Sequence, residues 1–289
     1  MFSQMKCDTE LLLDGLVFPE CPRWQAGKLW FSDMIGRKVM SVDLSGNVET
    51  IVKVPGQPAG LGWLPDGALL IVSMTDRKLL RYDSHSLSEI ADLSQLASFH
   101  LNDMVIDSQG RSYIGNFGFD IHSITSTPST ANVILVTQDG NTKIVADNLL
   151  FPNGSVITPD EQTYIVAESL AQKLTAFTIH HDGTLTNQRT WAQLDGLLPD
   201  GICLDAEGAV WIASATDKDT SEVMRITEGG KVTHRIKPSN IAFACILGGP
   251  DRRTLFIATA DTSNPEKAFT KQSGRIEYAE VDVPGAGFP

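Results

Sequence analysis

The stretch Phe151-Pro-Asn-Gly-Ser-Val-Ile-Thr-Pro-Asp-Glu-Gln-Thr-Tyr-Ile-Val-Ala167 decides the fold. An apolar strand start leads into a tight polar turn, Pro159-Asp160-Glu161, and then into a β-rich run, Thr163–Ala167. Proline pre-sets φ and Asp caps the following backbone, so such a turn joins two antiparallel strands. The pattern recurs five more times: Gln25-Ala26-Gly27 before Lys28–Ser32, Pro65-Asp66-Gly67 before Ala68–Val72, Ser108-Gln109-Gly110 before Ser112–Gly115, Ala206-Glu207-Gly208 before Ala209–Ala213, and Pro250-Asp251-Arg252 before Thr254–Ala258. The turns end at positions 27, 67, 110, 161, 208 and 252, which are steps of 40, 43, 51, 47 and 44 residues. One four-stranded propeller blade has about that length.

Third strands follow each hairpin: Lys38–Val42, Lys78–Tyr82, Val133–Thr137, Lys173–Ile179, Glu222–Ile226 and Gly274–Val281. Fourth, outer segments follow Gly turns at Val48–Val52, Lys143–Ala146 and Lys231–Ile236. Long amphipathic helical stretches are scarce. The sequence therefore predicts an all-β protein, one six-bladed β-propeller domain over residues 1–289. Glu10–Val17 completes the last blade beside Arg275–Val283, so the ring has no free edge. A sandwich or two smaller barrels would not explain a near-constant period over the full length. The long connection Phe117–Thr130 is a candidate lid over one face.

Composition narrows the function. The 289 residues are 42% apolar and 20% charged, with a formal net charge of −12, an ordinary globular balance. That charge argues against nucleic acid or an anionic membrane as partner. No apolar run is long enough to span a bilayer, and Met1–Asp14 has no signal-peptide core. Cys7, Cys21, Cys203 and Cys245 are far apart with no CxxC pair, which reads as reduced thiols and a cytoplasmic location. Oligomeric state is not legible. There is no Gly-x-Ser-x-Gly elbow, no HExxH and no Walker loop.

The repeat also points to a site. Eight residues before positions 110, 161 and 208 stand Asn102, Asn153 and Asp200, and seven before 27 stands Glu20. Gly60 and Ala244 are taken as their counterparts in the other two blades. Equivalent inner-strand starts converge on a propeller axis. There, two carboxylates and two amides stay poorly satisfied unless a cation sits between them. Any one of them alone reads more plainly as a turn cap; four in register read as an oxygen cage. All-oxygen ligation suits Ca²⁺ first, then Mg²⁺ or Mn²⁺, with Zn²⁺ behind them.

The strings Phe18-Pro-Glu-Cys-Pro-Arg-Trp24, Leu29-Trp-Phe-Ser-Asp33, Phe151-Pro-Asn-Gly154, Pro199-Asp-Gly-Ile-Cys-Leu-Asp205 and Gly248-Gly-Pro-Asp251, in this order, carry a resemblance over nearly the whole chain. The sequence resembles the senescence-marker-protein/gluconolactonase/luciferin-regenerating-enzyme family, which includes regucalcin and drug-responsive lactonases. The resemblance implies a six-bladed propeller with one divalent cation on its axis. Its metal ligands match Glu20, Asn153 and Asp200, with Asn102 as a fourth or substrate-side ligand. It further implies hydrolysis of a lactone, a small cyclic ester, with Asp200 as general base.

One departure matters. Where sugar-lactone members carry Arg two residues before the Asn, this chain has His100. A second substrate-side position falls on or near Asp120, among Phe117 and Phe119. The resemblance thus implies a pocket less polar than one built for gluconolactone. A plainer reading leaves His100 as a packed histidine and the two phenylalanines as lid packing. Two alternatives to a lactonase stand beside it: a non-catalytic calcium-binding propeller module and a phosphotriesterase-like hydrolase.

Overall fold

The structure, a computed structural model, describes residues 6–287. The ends of the expected 1–289 unit, residues 1–5 and 288–289, lie outside the described residues. Six antiparallel four-stranded sheets follow one another along the chain and form a six-bladed β-propeller. Blade 1 is built from Pro19–Gln25, Lys28–Asp33, Lys38–Val42 and Val48–Lys53, from axis to rim. Blades 2 to 5 begin at the axis with Pro58–Trp63, Leu101–Ile106, Pro152–Ile157 and Pro199–Asp205. Blade 6 begins with Ile241–Gly248. Each innermost strand contacts the innermost strand of the next blade, and that of blade 6 contacts that of blade 1. The ring is closed.

These strands form for the reasons the sequence suggests. Inner strands are sandwiched between blades, so they run continuously buried, as in Leu101–Ile106 and Pro152–Ile157. Rim strands are exposed over most of their length, as in Thr142–Leu149, where only Ala146 and Leu149 are buried. Leu61, Ile71 and Leu79 are wholly buried between blades, each such side chain stabilising by roughly 1.5–3 kcal/mol. Trp24 stacks on Phe256 at 5.4 Å and Trp30 meets Trp63 edge-on at 5.3 Å, so these tryptophans pack blade to blade. Two further outer strands form: Leu87–Asp92, with no Gly turn ahead of it, and Leu185–Gln193, which follows the turn at Asp182-Gly183.

Closure is more elaborate than expected. Glu10–Leu16 does pair with Gly274–Glu280 and completes blade 6. In addition, Lys6–Asp8 adds a parallel fifth strand to the rim of blade 5, and Gly285–Ala286 pairs with the end of that blade's inner strand. Both chain ends therefore brace one blade. Buried Glu277 secures the join, accepting from Thr9 Oγ1, the Ser239 N–H and hydroxyl, and Thr259 Oγ1.

One short helix, Pro265–Lys271, interrupts the β pattern in the loop between the second and third strands of blade 6. Asn264 caps it and Pro265 opens it, a local signal too short to register as helical periodicity. Among the described residues no helix is long and apolar enough to cross a membrane.

Candidate functional site

Each inner strand starts at one face of the ring, here called the upper face, and its first turn of chain is irregular. The pairing with the second strand shifts by one residue between Glu20 and Arg23, Pro58 and Leu61, Leu101 and Met104, Pro152 and Ser155, and Pro199 and Ile202. Blade 6 shifts between Ala242 and Ala244. A β-bulge twists a strand locally and re-aims its side chains. Six bulges at one level form a ring of re-aimed positions around the axis.

Register gives the members of that ring. Pro19, Pro58, Pro152 and Pro199 each pair with the last residue of the second strand, Asp33, Ser73, Glu168 and Ser214, and Leu101 pairs likewise with Asn116. The next residues are Glu20, Ala59, Asn153, Asp200 and Asn102. Blade 2 therefore offers Ala59, not Gly60. A Cβ on Gly201 would lie 2.4 Å from the Ala244 Cβ, so Ala244 faces Gly201. Asp200 then has Phe243 as its counterpart in blade 6. Gly60 and Ala244 each lie one residue too far: in blade 2 the ring member stands eight residues before Gly67, as in blades 3 to 5, and in blade 6 the ladder still pairs Ala244 with Ala258 before its bulge. The four oxygen-bearing members stand as expected.

Neighbouring groups hold these four in place. Glu20 is buried, and its Oε2 accepts from the Cys21 N–H at 2.8 Å. Cys21 sits at φ 49°, in the left-handed region, and Phe151 at φ 58° leads into Pro152–Asn153. Such strain persists only where surrounding packing over-determines it. The Asn102 Nδ2 donates to the Pro152 carbonyl at 3.1 Å. The Asn153 Nδ2 donates to Ser169 Oγ at 3.3 Å, and Ser169 donates on to the Pro199 carbonyl at 2.6 Å. Both amides thus spend an NH₂ hydrogen on structure, and among the described residues neither amide oxygen accepts a bond.

The strand entries are braced in a repeated way that the sequence reading missed. Asp33 Oδ1 accepts from the Phe18 N–H at 2.8 Å, and Glu168 Oε2 accepts from the Leu150 N–H at 2.8 Å. Ser214 Oγ accepts from the Leu198 N–H at 3.4 Å. Each bonded N–H lies two or three residues ahead of a donor residue. Polar side chains closing strands were visible in the sequence, but their partners were not.

Electrostatics mark the same place. Burial pushes the Glu20 carboxyl up to about 8, helped by the nearby Asp103 charge and opposed by the Cys21 N–H and by Arg23. Asp200 is raised well above the ordinary carboxylate range, first by burial and then by the charges of Glu20 and Asp103, with the Asn153 amide partly offsetting them. Burial and the neighbouring carboxylates likewise push the Cys21 thiol up, which removes it as a nucleophile at neutral pH. Cys21, Cys203 and Cys245 are buried free thiols.

A half-buried aromatic cluster adjoins this ring. The His100 ring stacks on Phe99 at 4.0 Å and meets Phe117 at 6.0 Å. Phe117 lies 4.7 Å and Phe119 6.4 Å from Phe151, two residues ahead of Asn153. Burial lowers the His100 pKa against an opposing pull from Asp120. Asp120 itself caps a turn, accepting from the His122 N–H at 3.0 Å. So His100, Phe117, Phe119 and Asp120 do gather beside the Asn153 strand, joined by Phe99 and Phe151, whose apolar character had drawn no notice. The loop from Phe117 to Thr130 contains neither strand nor helix, and its root is tied where Ser98 and Ser129 hydroxyls donate to the Gly118 carbonyl.

The donor set fits a hard cation. It offers two carboxylates raised first by burial and then by neighbouring carboxylate charge, plus two amide oxygens without partners among the described residues, all at one register position in their blades. Among the described residues no three His, Cys, Asp or Glu side chains gather to hold a metal by themselves, so any such cage is mixed carboxylate and amide.

Residues 18–261 match the profile described as the SMP-30/Gluconolactonase/LRE-like region. The match opens two residues ahead of Glu20 and takes in every member of the ring. This chain belongs to that family. Regucalcin of Xenopus laevis is 27% identical over 269 residues, covering 89% of this chain and 88% of its own. YvrE of Bacillus subtilis (strain 168), proposed by name to be a sugar lactone lactonase, is 23% identical, with 93% of each chain covered. A solved structure of regucalcin from Agrobacterium tumefaciens str. C58, described as a calcium-binding protein, superposes with a TM-score of 0.80 at 19% identity, covering 99% of this chain and 97% of that one. At that identity the superposition establishes the propeller and nothing finer. Membership in the SMP-30/gluconolactonase/LRE-like family supports a lactone-hydrolase role.

Proposed function

We propose that this protein is a metal-dependent hydrolase that opens a lactone, with a substrate less polar than gluconolactone. The observation carrying this reading is the level ring of Glu20, Asn102, Asn153 and Asp200, an oxygen cage in which burial raises both carboxylates and neither forms an ion pair with a side-chain cation among the described residues. A relative proposed to be a sugar lactone lactonase and a similar structure described as calcium-binding add support. Glu20, Asn153 and Asp200 would hold the divalent cation, Ca²⁺ in first place, with Asn102 as a fourth or substrate-side donor. Bound there, such an ion supplies Lewis acidity toward an ester carbonyl and offsets the charge that develops on its oxygen.

The chain's own groups do the rest. The Asp200 carboxylate takes a proton from water as that water's oxygen bonds to the carbonyl carbon. The ring C–O bond then breaks, and the Asp200 proton passes to the departing ring oxygen, giving an open-chain hydroxy acid. Glu20, locked by the Cys21 N–H, keeps its position. His100, Phe99, Phe117, Phe119 and Phe151 present one polar ring edge in an apolar wall, which suits an alkyl- or aryl-substituted lactone better than a polyol.

A panel of sugar, alkyl and aryl lactones assayed with and without divalent ions tests this. Turnover of apolar lactones that vanishes on chelation is expected. Turnover unaffected by exhaustive chelation overturns the mechanism. Cation binding without turnover of any lactone would leave a non-catalytic calcium-binding propeller in its place.

A further inference from the structure

We propose that Ser169 is a positioning residue: it sets the Asn153 amide with its oxygen, rather than its NH₂, turned to the axial ring. This rests on the cation reading above and assigns the orientation of one donor to a residue outside the cage. An amide is nearly symmetric in shape but opposite in polarity at its two ends, and only the oxygen end holds a cation. A ring that includes asparagines therefore needs something to choose the end.

Ser169 makes that choice by having a single hydroxyl proton. It is buried, at 8% exposure, directly after the strand Thr163–Glu168. Its backbone N–H donates to the Phe151 carbonyl at 3.2 Å, which holds it beside the strand that carries Asn153. Its hydroxyl oxygen lies 2.6 Å from the Pro199 carbonyl. A carbonyl only accepts, so the hydroxyl proton is committed there. Toward Asn153 the same oxygen has only lone pairs left, and the group it meets at 3.3 Å is Nδ2. A flipped amide would set oxygen against oxygen. The carbonyl directly ahead of Asp200 thus orders Asn153 across the blade boundary through one hydroxyl. Asn102 shows the same device without a relay: its Nδ2 donates straight to the Pro152 carbonyl, directly ahead of Asn153, at 3.1 Å. In both cases the carbonyl before one ring residue fixes the amide of the ring residue in the preceding blade.

The test is a double-mutant cycle read by calorimetric titration of the chelator-stripped, full-length protein with Ca²⁺. Ser169→Ala removes the acceptor and lets both amide orientations compete, so Ca²⁺ affinity should fall roughly three- to tenfold, the worth of one hydrogen bond. Ser169→Thr keeps the hydroxyl and should stay within about twofold of wild type. Asn153→Asp replaces the amide by a group with two like oxygens, which has no orientation to choose. In that background Ser169→Ala should cost no Ca²⁺ affinity. A hydroxyl that merely tethers Pro199 would cost the same factor in both backgrounds, and that result overturns the inference while the cation reading stands. If Asn153→Asp does not fold, melting temperatures of wild type and Ser169→Ala decide, each taken in chelator and at one fixed Ca²⁺ concentration. A positioning hydroxyl makes the Ca²⁺-induced rise smaller in Ser169→Ala, whereas an equal rise in both proteins overturns the inference. Wild-type protein that binds no Ca²⁺ overturns the inference and the cation reading together.

Discussion

The two ends of the inner strands treat buried carboxylates in opposite ways. At the lower ends, Asp107 Oδ1 accepts from the Gln109 and Arg111 N–H groups and its Oδ2 meets Arg111 Nε at 2.6 Å. Asp205 does the same with the Glu207 and Ala209 N–H groups and Arg225 Nε at 2.6 Å. Each is a turn residue with an arginine of its own, and each is saturated. At the upper ends, Glu20 accepts one backbone N–H among the described residues, and Asp200 faces two other carboxylates. Burial is common to both ends; compensation is not. A buried carboxylate with its own arginine holds a turn, whereas the upper carboxylates, raised by burial and by neighbouring negative charge, are the ones proposed to hold a cation.

Substitution at the two ends should separate these roles most sharply. Asp200→Ala and Glu20→Gln are expected to cut turnover of simple γ- and δ-lactones by roughly a thousandfold and to lower bound metal, measured by steady-state assay and elemental analysis. Full activity in either variant would put the upper carboxylates in the same class as the lower ones. At the other end, Arg225→Ala leaves Asp205 unpaired and should cost about 3–5 kcal/mol in urea unfolding, with turnover per folded molecule unchanged. A loss of turnover there without loss of stability would break the contrast from the other side.

The raised Glu20 carboxyl gives a pH signature confined to the upper end. Folded Glu20 titrates at about 8 against 4.5 unfolded, so between those values the native state holds the extra proton. Its contribution to stability is complete below about pH 4.5 and is lost as pH rises through about 8. In chelator, the unfolding free energy of wild-type protein from urea titration should therefore fall from pH 5 to pH 8 by an amount on the order of a few kcal/mol. Glu20→Gln should fall less, and Ca²⁺ at pH 8 should restore the wild type. Equal pH slopes for wild type and Glu20→Gln would show that Glu20 is compensated by the protein after all.

The smallest effect concerns the aromatic wall. His100→Arg introduces a fixed charge and hydrogen-bond donors between Phe99 and Phe117 and should shift kcat/KM toward hydroxylated lactones by about tenfold. No shift in either direction would mean that His100 does not face substrate.

Much of this was legible in the chain. The turn residues repeat at blade spacing, so the propeller, its closing strand and the four oxygen donors follow from local pattern alone. The residues that escaped notice lie beside the ones that were found. Arg23 and Asp103 flank Glu20 and Asn102, yet their ion pair joins positions 80 residues apart. Asp33 and Glu168 looked like ordinary strand ends. Phe99 and Phe151 looked like ordinary apolar residues.

What the sequence determined by itself is therefore periodic: strand, turn, strand, and the oxygen-bearing residue near the start of four of the six inner strands, because backbone preferences act over a few residues and repeat with the chain. What only the tertiary structure decided is which charges meet. Coulomb interaction and desolvation depend on distances set by the packing of blade against blade, and the bulges that shift each inner strand by one residue appear only when the strands are paired. That packing left Asp205 beside an arginine and Glu20 beside Asp200.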